Sequence, residues 1–263
     1  MNTTYQRIDD ILKEVSGLPS DLHACGTMSD KVLAAMVKHT SRMNVQHSVE
    51  TGSGKTTLLL SNISKNHTVF SIDFGDSIGV VRRSPLFNPS TTFFVEGPTQ
   101  KTVPPYVFEH KLQFVLIDGP HGYPFPEIEY YFLYPHIDVG GILVVDDVHL
   151  PTINNFFDFL REEEMFDLME VVDTTAFFKR NDTPLFNPYE DGWWLQGYNK
   201  NRAPLEKLNA FTSEWRENYV KEKEPVHEKH NEYIRIRRDN QYIKSIIKFM
   251  PTRFKKKILG IFS

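Results

Sequence analysis

The chain has 263 residues, well above the ~150 of an average domain, so one large domain and one domain with an appendage are both open. Its 40% hydrophobic and 24% charged residues describe a globular chain with a sizeable core, and a formal charge of -4 argues against a general nucleic-acid binder. The single cysteine, Cys25, excludes an internal disulfide or a cysteine-based zinc cluster, and no apolar run reaches the ~18 residues of a membrane span. The first residues (MNTTYQRIDD) lack the basic and apolar regions of a signal peptide, so the expectation is a cytoplasmic protein.

Taken in chain order, residues 4–17 and 29–40 have the spaced apolar positions of helices, the second with Ser29 as N-cap. A strand over Val45–Glu50 leads through a turn, Thr51–Gly54, into a helix from Thr56. Further strands are predicted at His67–Phe74, Thr92–Glu96, Phe114–Ile117 and Ile142–Val145, the last opened by Gly140 and Gly141. Residues 126–134 and 151–163 pattern as helices, and 169–180 as one or two strands. Short apolar strands alternating with helices predict a doubly wound, mostly parallel, Rossmann-like α/β sheet covered on both faces. Glu50, Asp73, Glu96, Asp118 and Asp146 fall at or near predicted strand ends, and ligands bind outside the carboxyl ends of such sheets.

After Arg180 the pattern changes, which places a domain over residues 1–180 and an extension over 181–263. Residues 181–200 read as an ordered loop rich in Pro, Asn and aromatics, with helices expected in 203–228 and 240–250. Trp193, Trp194 and Tyr198 would suit a platform for a sugar or aromatic ring, or simple packing. Residues 233–263 carry nine Lys/Arg against one acid, a net +8 that leaves -12 on the rest of the chain. Their apolar positions recur at helical spacing. Such a basic amphipathic stretch suits the anionic inner face of a membrane, where each basic residue adds about 1 kcal/mol, or docking on the domain or a second subunit.

The segment Glu50-Thr-Gly-Ser-Gly-Lys-Thr-Thr57 has several readings. Gly54-Lys55-Thr56 copies the end of a phosphate-binding P-loop, but Val49 stands where that motif needs its first glycine. A dinucleotide fingerprint would use Gly52 and Gly54 with Asp73 on the ribose, yet its third glycine is replaced by Thr57. A plain strand-to-helix turn is the third.

The fourth reading is a resemblance. Val49-Glu-Thr-Gly-Ser-Gly54, Leu116-Ile-Asp-Gly-Pro-His-Gly-Tyr123 and Gly140-Gly-Ile-Leu-Val-Val-Asp-Asp147 resemble three motifs of class I methyltransferases, in the group that includes macrocin-type and other small-molecule O-methyltransferases. The likeness covers roughly residues 25–180, with a seven-stranded sheet implied, and departs at Pro120, where the group carries an acid. It implies S-adenosylmethionine as cofactor: Glu50, Gly52 and Gly54 at the methionine end, Asp73 on the ribose, residues 96–99 including Gly97 near adenine, and Asp118 beside them. Thr27 and Ser29 fall where relatives cover the cofactor.

In metal-dependent relatives such as the catechol O-methyltransferases, an acid ends strand four and an Asp pair ends strand five. Asp118 and Asp146 are 28 apart here and Asp147 follows, so the resemblance implies Mg2+ on these three carboxylates. His121 stands where the catechol enzymes place a catalytic lysine, and His149 is the second candidate base, histidine being suited to proton transfer near neutral pH. The expected reaction is methylation of a hydroxyl on a small molecule such as a sugar or a lipid-linked glycan. A nicotinamide-dependent oxidoreductase and a non-catalytic protein of the same fold are the alternatives.

Overall fold

The computed structural model of the protein describes residues 3–19, 28–189 and 196–201. Helices are α1 (Thr3–Ser16), α2 (Asp30–Thr40), α3 (Lys55–Ile63), α4 (Ser77–Arg83), α5 (Thr99–Thr102), α6 (Phe125–Leu133), α7 (Pro151–Leu160) and α8 (Gly197–Lys200). Strands are β1 (His47–Thr51), β2 (Asn66–Ser71), β3 (Thr92–Glu96), β4 (Leu112–Ile117), β5 (Ile137–Val145), β6 (Phe166–Val172) and β7 (Thr175–Arg180). They form one sheet in the order β3-β2-β1-β4-β5-β7-β6, parallel from β1 to β5, with β7 antiparallel to both its neighbours. The expected doubly wound, seven-stranded, mostly parallel sheet is present.

The strands are apolar runs because both faces are covered. In β4, Phe114 and Leu116 join the cluster built with α2 and α3 (Val32, Leu33, Met36, Leu58, Leu59, Leu60), while Val115 and Ile117 join the one built with α6 and α7 (Tyr130, Leu133, Phe156, Leu160). This side-to-side alternation within an unbroken apolar run is what a central strand requires. The sheet turns outward in both directions from β1 and β4, which pair with each other. Their carboxyl ends are therefore the switch point where a crevice opens.

Some boundaries differ from expectation. β5 begins at Ile137 rather than Ile142, because its register with β4 shifts across residues 138–141. Gly140 takes φ +85, and a Cβ on Gly141 would stand 2.9 Å from the Asp138 carbonyl oxygen, so both glycines belong to an irregularity inside the strand. β2 ends at Ser71, since the chain turns through a single 3-10 turn at Phe74–Asp76. The 169–180 region resolves into two strands joined at Asp173, which has φ 51. Ser29 caps α2 as expected, its hydroxyl oxygen accepting the Val32 N–H at 3.4 Å. Thr27, Trp193, Trp194 and residues 202–263, including the basic stretch, lie outside the described residues. Among those described, no helix is long and apolar enough to cross a membrane.

Burial makes the central strands sensitive. Leu116 is 0% exposed between two helical layers, and Leu116→Ala is expected to cost about 2–5 kcal/mol in urea denaturation. Leu168→Ala, at a site 41% exposed on the edge strand β6, should cost far less in the same measurement.

Candidate functional site

A cavity of about 710 Å³ opens at the carboxyl ends of the strands, a volume suited to a small-molecule ligand. Its lining includes Gly52, Ser53 and Gly54 after β1, Asp118 to His121 after β4, Asp146 and Asp147 after β5, and Asp173 to Thr175 at the β6–β7 turn. Gly52 takes φ +95, and a Cβ there would lie 3.5 Å from the Asp118 carbonyl oxygen. Glycine is needed at this point because the two loops of the switch point nearly touch.

Glu50 is not at the cavity. It is 0% exposed beneath it, where its Oε1 accepts the Thr57 hydroxyl and lies 3.2 Å from His67 Nε2. His67 Nδ1 lies 2.7 Å from the Ser48 hydroxyl, so a buried polar chain runs under α3. Thr57 Oγ1 in turn accepts the Gly54 N–H at 3.0 Å. Glu50 thus shapes the glycine loop from below and presents no oxygen to a ligand. Lys55, the lysine of the P-loop-like triplet, is buried with its ammonium donating to the Leu18 carbonyl at 2.7 Å, so it is not directed at a phosphate.

The remaining acids divide. Asp73 is exposed and accepts the Ile78 N–H at 2.9 Å, at the start of α4 and outside the cavity lining. Glu96 pairs with Arg82 at 2.9 Å on the surface. Gly97, at φ +142, turns the chain away from β3, and its successors Pro98, Thr99 and Gln100 line the cavity. Asp118 and Asp146 face each other closely enough to share a proton. Burial, and then the Asp146 charge, push the Asp118 carboxyl well above the ordinary carboxylate range. Asp146 is also raised by burial, opposed by a hydrogen bond from the Thr175 hydroxyl.

Asp147 has φ 54, and this left-handed turn aims its carboxylate at the two imidazoles. His121 Nε2 lies 3.2 Å from Asp147 Oδ2, an ion-pair distance without hydrogen-bond alignment, and His149 Nδ1 lies 3.5 Å from Oδ1. His121 lines the cavity, with its backbone carbonyl accepting the Thr152 hydroxyl at 2.6 Å, whereas His149 is exposed outside the lining. Among the described residues no three His, Cys, Asp or Glu side chains are grouped so as to hold a metal ion. With Asp147 turned to the imidazoles and Asp146 bonded by Thr175, the three carboxylates expected for Mg2+ do not form its site as arranged. Tyr198 packs on Phe159 of α7, with ring centroids 5.6 Å apart, away from the cavity.

Three further contributions were not anticipated. Asp173 accepts the Ser29 hydroxyl at 2.6 Å and the Lys31 ammonium at 3.4 Å, tying the β6–β7 turn to the start of α2 across the cavity rim. Glu129 is 1% exposed in α6, and its Oε2 accepts the Thr51 hydroxyl at 2.9 Å. Thr51 Oγ1 accepts the Asp118 N–H at 3.0 Å. The sequence held a signal for Glu129: Pro126, Glu129, Tyr130 and Leu133 recur at helical spacing on one buried face. No comparable signal marks Asp173, whose role depends on a left-handed turn.

The comparisons agree with this geometry. The sequence model of a family described as a methyltransferase domain matches residues 49–148, from the end of β1 past β5. Cofactor-bound Rv0187 from MTB superposes with a TM-score of 0.51 at 13% identity, covering 70% of this chain and 92% of that one. The O-methyltransferase TomG from Streptomyces achromogenes, in complex with SAM, gives 0.48 at 13% identity over 69% and 91% of the two chains. The O-methyltransferase from Bacillus cereus, in complex with SAH, gives 0.47 at 12% over 69% and 92%. No curated protein matches the chain. Residues 49–148 are thus a methyltransferase domain, carried on the class I methyltransferase fold.

Burial raises the Glu129 carboxyl from 4.5 to about 8. The folded protein therefore holds a proton that the unfolded chain releases between those values, and stability falls as pH rises through that window. In thermal melts from pH 4.5 to 8, Glu129→Gln is expected to lessen the fall, since a neutral amide has no proton to lose.

Proposed function

We propose that the protein transfers a methyl group from S-adenosylmethionine to a hydroxyl of a small molecule, with His121 as the base. The observation that carries this reading is one cavity holding the glycine loop at one end and His121 paired with Asp147 at the other. The loop Gly52–Gly54 offers close backbone approach for the methionine portion, and Pro98 to Gln100 offer a wall for the adenosine. The carboxylates of Asp118 and Asp146 suit the cationic end of the cofactor. On the opposite side, Asp147 and Asp173 present acceptor oxygens, which suits an acceptor rich in hydroxyls such as a sugar.

The chemistry needs a deprotonated oxygen in line with the sulfonium. Asp147 beside Nε2 favours a proton on that nitrogen and leaves the Nδ1 lone pair to take the hydroxyl proton. The acceptor oxygen bonds to the methyl carbon as the carbon–sulfur bond breaks, and its electron pair remains on sulfur. S-adenosylhomocysteine, the methyl ether and an imidazolium result. Asp147 stabilises that imidazolium until it loses its proton to solvent. No described residue is required to change oxidation state, which separates this reading from hydride transfer to a nicotinamide.

Two outcomes are expected. Calorimetric titration should show binding of S-adenosylhomocysteine and none of NAD, and the reverse would sink the reading. With radiolabelled S-adenosylmethionine and a panel of sugar and phenolic acceptors, His121→Ala should lower methyl transfer by roughly a hundredfold or more, and His149→Ala far less. In the same assay EDTA is expected to leave the rate unchanged. Loss restored by Mg2+ would instead mean that Asp118, Asp146 and Asp147 regroup around an ion when ligands bind.

A further inference from the structure

Glu129 takes no part in the chemistry proposed above, yet two hydrogen bonds separate it from the loop that carries Asp118. Its Oε2 accepts the Thr51 hydroxyl, and the same Thr51 oxygen accepts the Asp118 backbone N–H. A hydroxyl has one proton to give. When that proton is directed to Glu129, a lone pair is directed to the Asp118 amide. Without Glu129 the hydroxyl is free to rotate, and the amide loses a fixed acceptor. Thr51 is the last residue of β1 and Gly52 follows, with the Asp118 carbonyl close against it.

An apolar side chain would fill this place at lower cost, because burying a carboxyl is unfavourable. The second carboxyl oxygen, Oε1, is buried with no hydrogen-bond partner among the described residues. The fold therefore carries a destabilising group at a position where it acts on one loop. The same construction stands on the opposite face of β1, where Glu50 accepts the Thr57 hydroxyl and Thr57 accepts the Gly54 amide.

We infer that Glu129 is a positioning residue for the cofactor cavity, setting through Thr51 the spacing between the glycine loop and the Asp118 loop that an S-adenosyl ligand requires. The inference rests on the methyltransferase reading. Near neutral pH the raised Glu129 carboxyl is largely the uncharged acid, so glutamine is its closest replacement.

Calorimetric titration of the intact protein with S-adenosylhomocysteine, with melting temperatures measured alongside, tests the relay without knowledge of the acceptor. Thr51→Val and Glu129→Leu should each weaken binding about tenfold, the effect of misplacing a binding loop slightly. The double variant should bind no worse than either single one, because both break the same chain. Thr51→Ser and Glu129→Gln keep the hydrogen bonds and should stay within about threefold of the parent. Parent-like binding by folded Thr51→Val and Glu129→Leu overturns the inference, as does a Glu129→Gln that binds as poorly as Glu129→Leu. Should Glu129→Leu not fold, the contrast between Thr51→Val and Thr51→Ser decides. Failure of the parent protein to bind would overturn the functional reading and the inference with it, whereas binding that ignores these substitutions overturns the inference alone.

Discussion

The carboxyl end of β1 is held from both faces of the sheet by the same small device, and the cavity depends on it. On the α3 face a buried glutamate, Glu50, accepts a threonine hydroxyl whose oxygen accepts the Gly54 amide. On the α6 face Glu129 does the same through Thr51 to the Asp118 amide. The alternation of side chains along a strand makes this possible, because successive residues 50 and 51 point to opposite layers. Each relay spans from a helix or strand in the core to a loop that has no sheet partner of its own. Leaving such a buried group unpaired costs about 1–3 kcal/mol, so the loops are held by penalties larger than thermal energy.

Above this clamp the cavity has two differently built ends. The glycine loop and the 98–100 segment are mainly backbone and small side chains, which set distance and shape. The other end is made of side chains that exchange or attract protons: Asp118 with Asp146, and Asp147 with His121. Asp147 belongs to this end because its left-handed backbone turns it away from Asp146, although the two are adjacent in sequence. The Ser29–Asp173 hydrogen bond closes the rim between α2 and the β6–β7 turn, joining elements 144 residues apart.

Most of the fold was legible because parallel strands buried on both faces appear as apolar runs punctuated at their ends, and β1, β3 and β4 were placed within two residues. The errors came where backbone conformation overrides apolarity. Gly140 and Gly141 mark an irregularity inside β5, not its start, and the turn at Phe74–Asp76 cuts β2 short of the apolar residues that follow. In the site, the acids near strand ends were found, but not which of them face a ligand. Glu50 lies on the α3 face by simple alternation with Val49 and Thr51, and Asp73 serves the α4 backbone. An acid near a strand end is thus placed at the right edge by the sequence pattern, while its direction is decided by a neighbour such as Thr57 or Ile78. Asp147 and Asp173 owe their roles to positive φ angles, which residue type alone does not announce.

The acidity of the cavity has a consequence for the proposed reaction. Carboxylates in a partly buried cavity attract a sulfonium, but methyl transfer removes the positive charge from sulfur. Full negative charge at Asp118 and Asp146 would therefore favour the bound cofactor over the transition state, and stabilising the ground state gives no gain in the chemical step. The raised Asp118 carboxyl counters this, since a pair sharing one proton carries one negative charge where two would otherwise stand. The charge that leaves sulfur reappears as a proton on His121, beside Asp147, which keeps its carboxylate free to receive it. Neutralising one acid near the sulfur and leaving another charged beside the base directs the electrostatic gradient along the path of charge transfer, from the Asp118 side of the cavity toward His121.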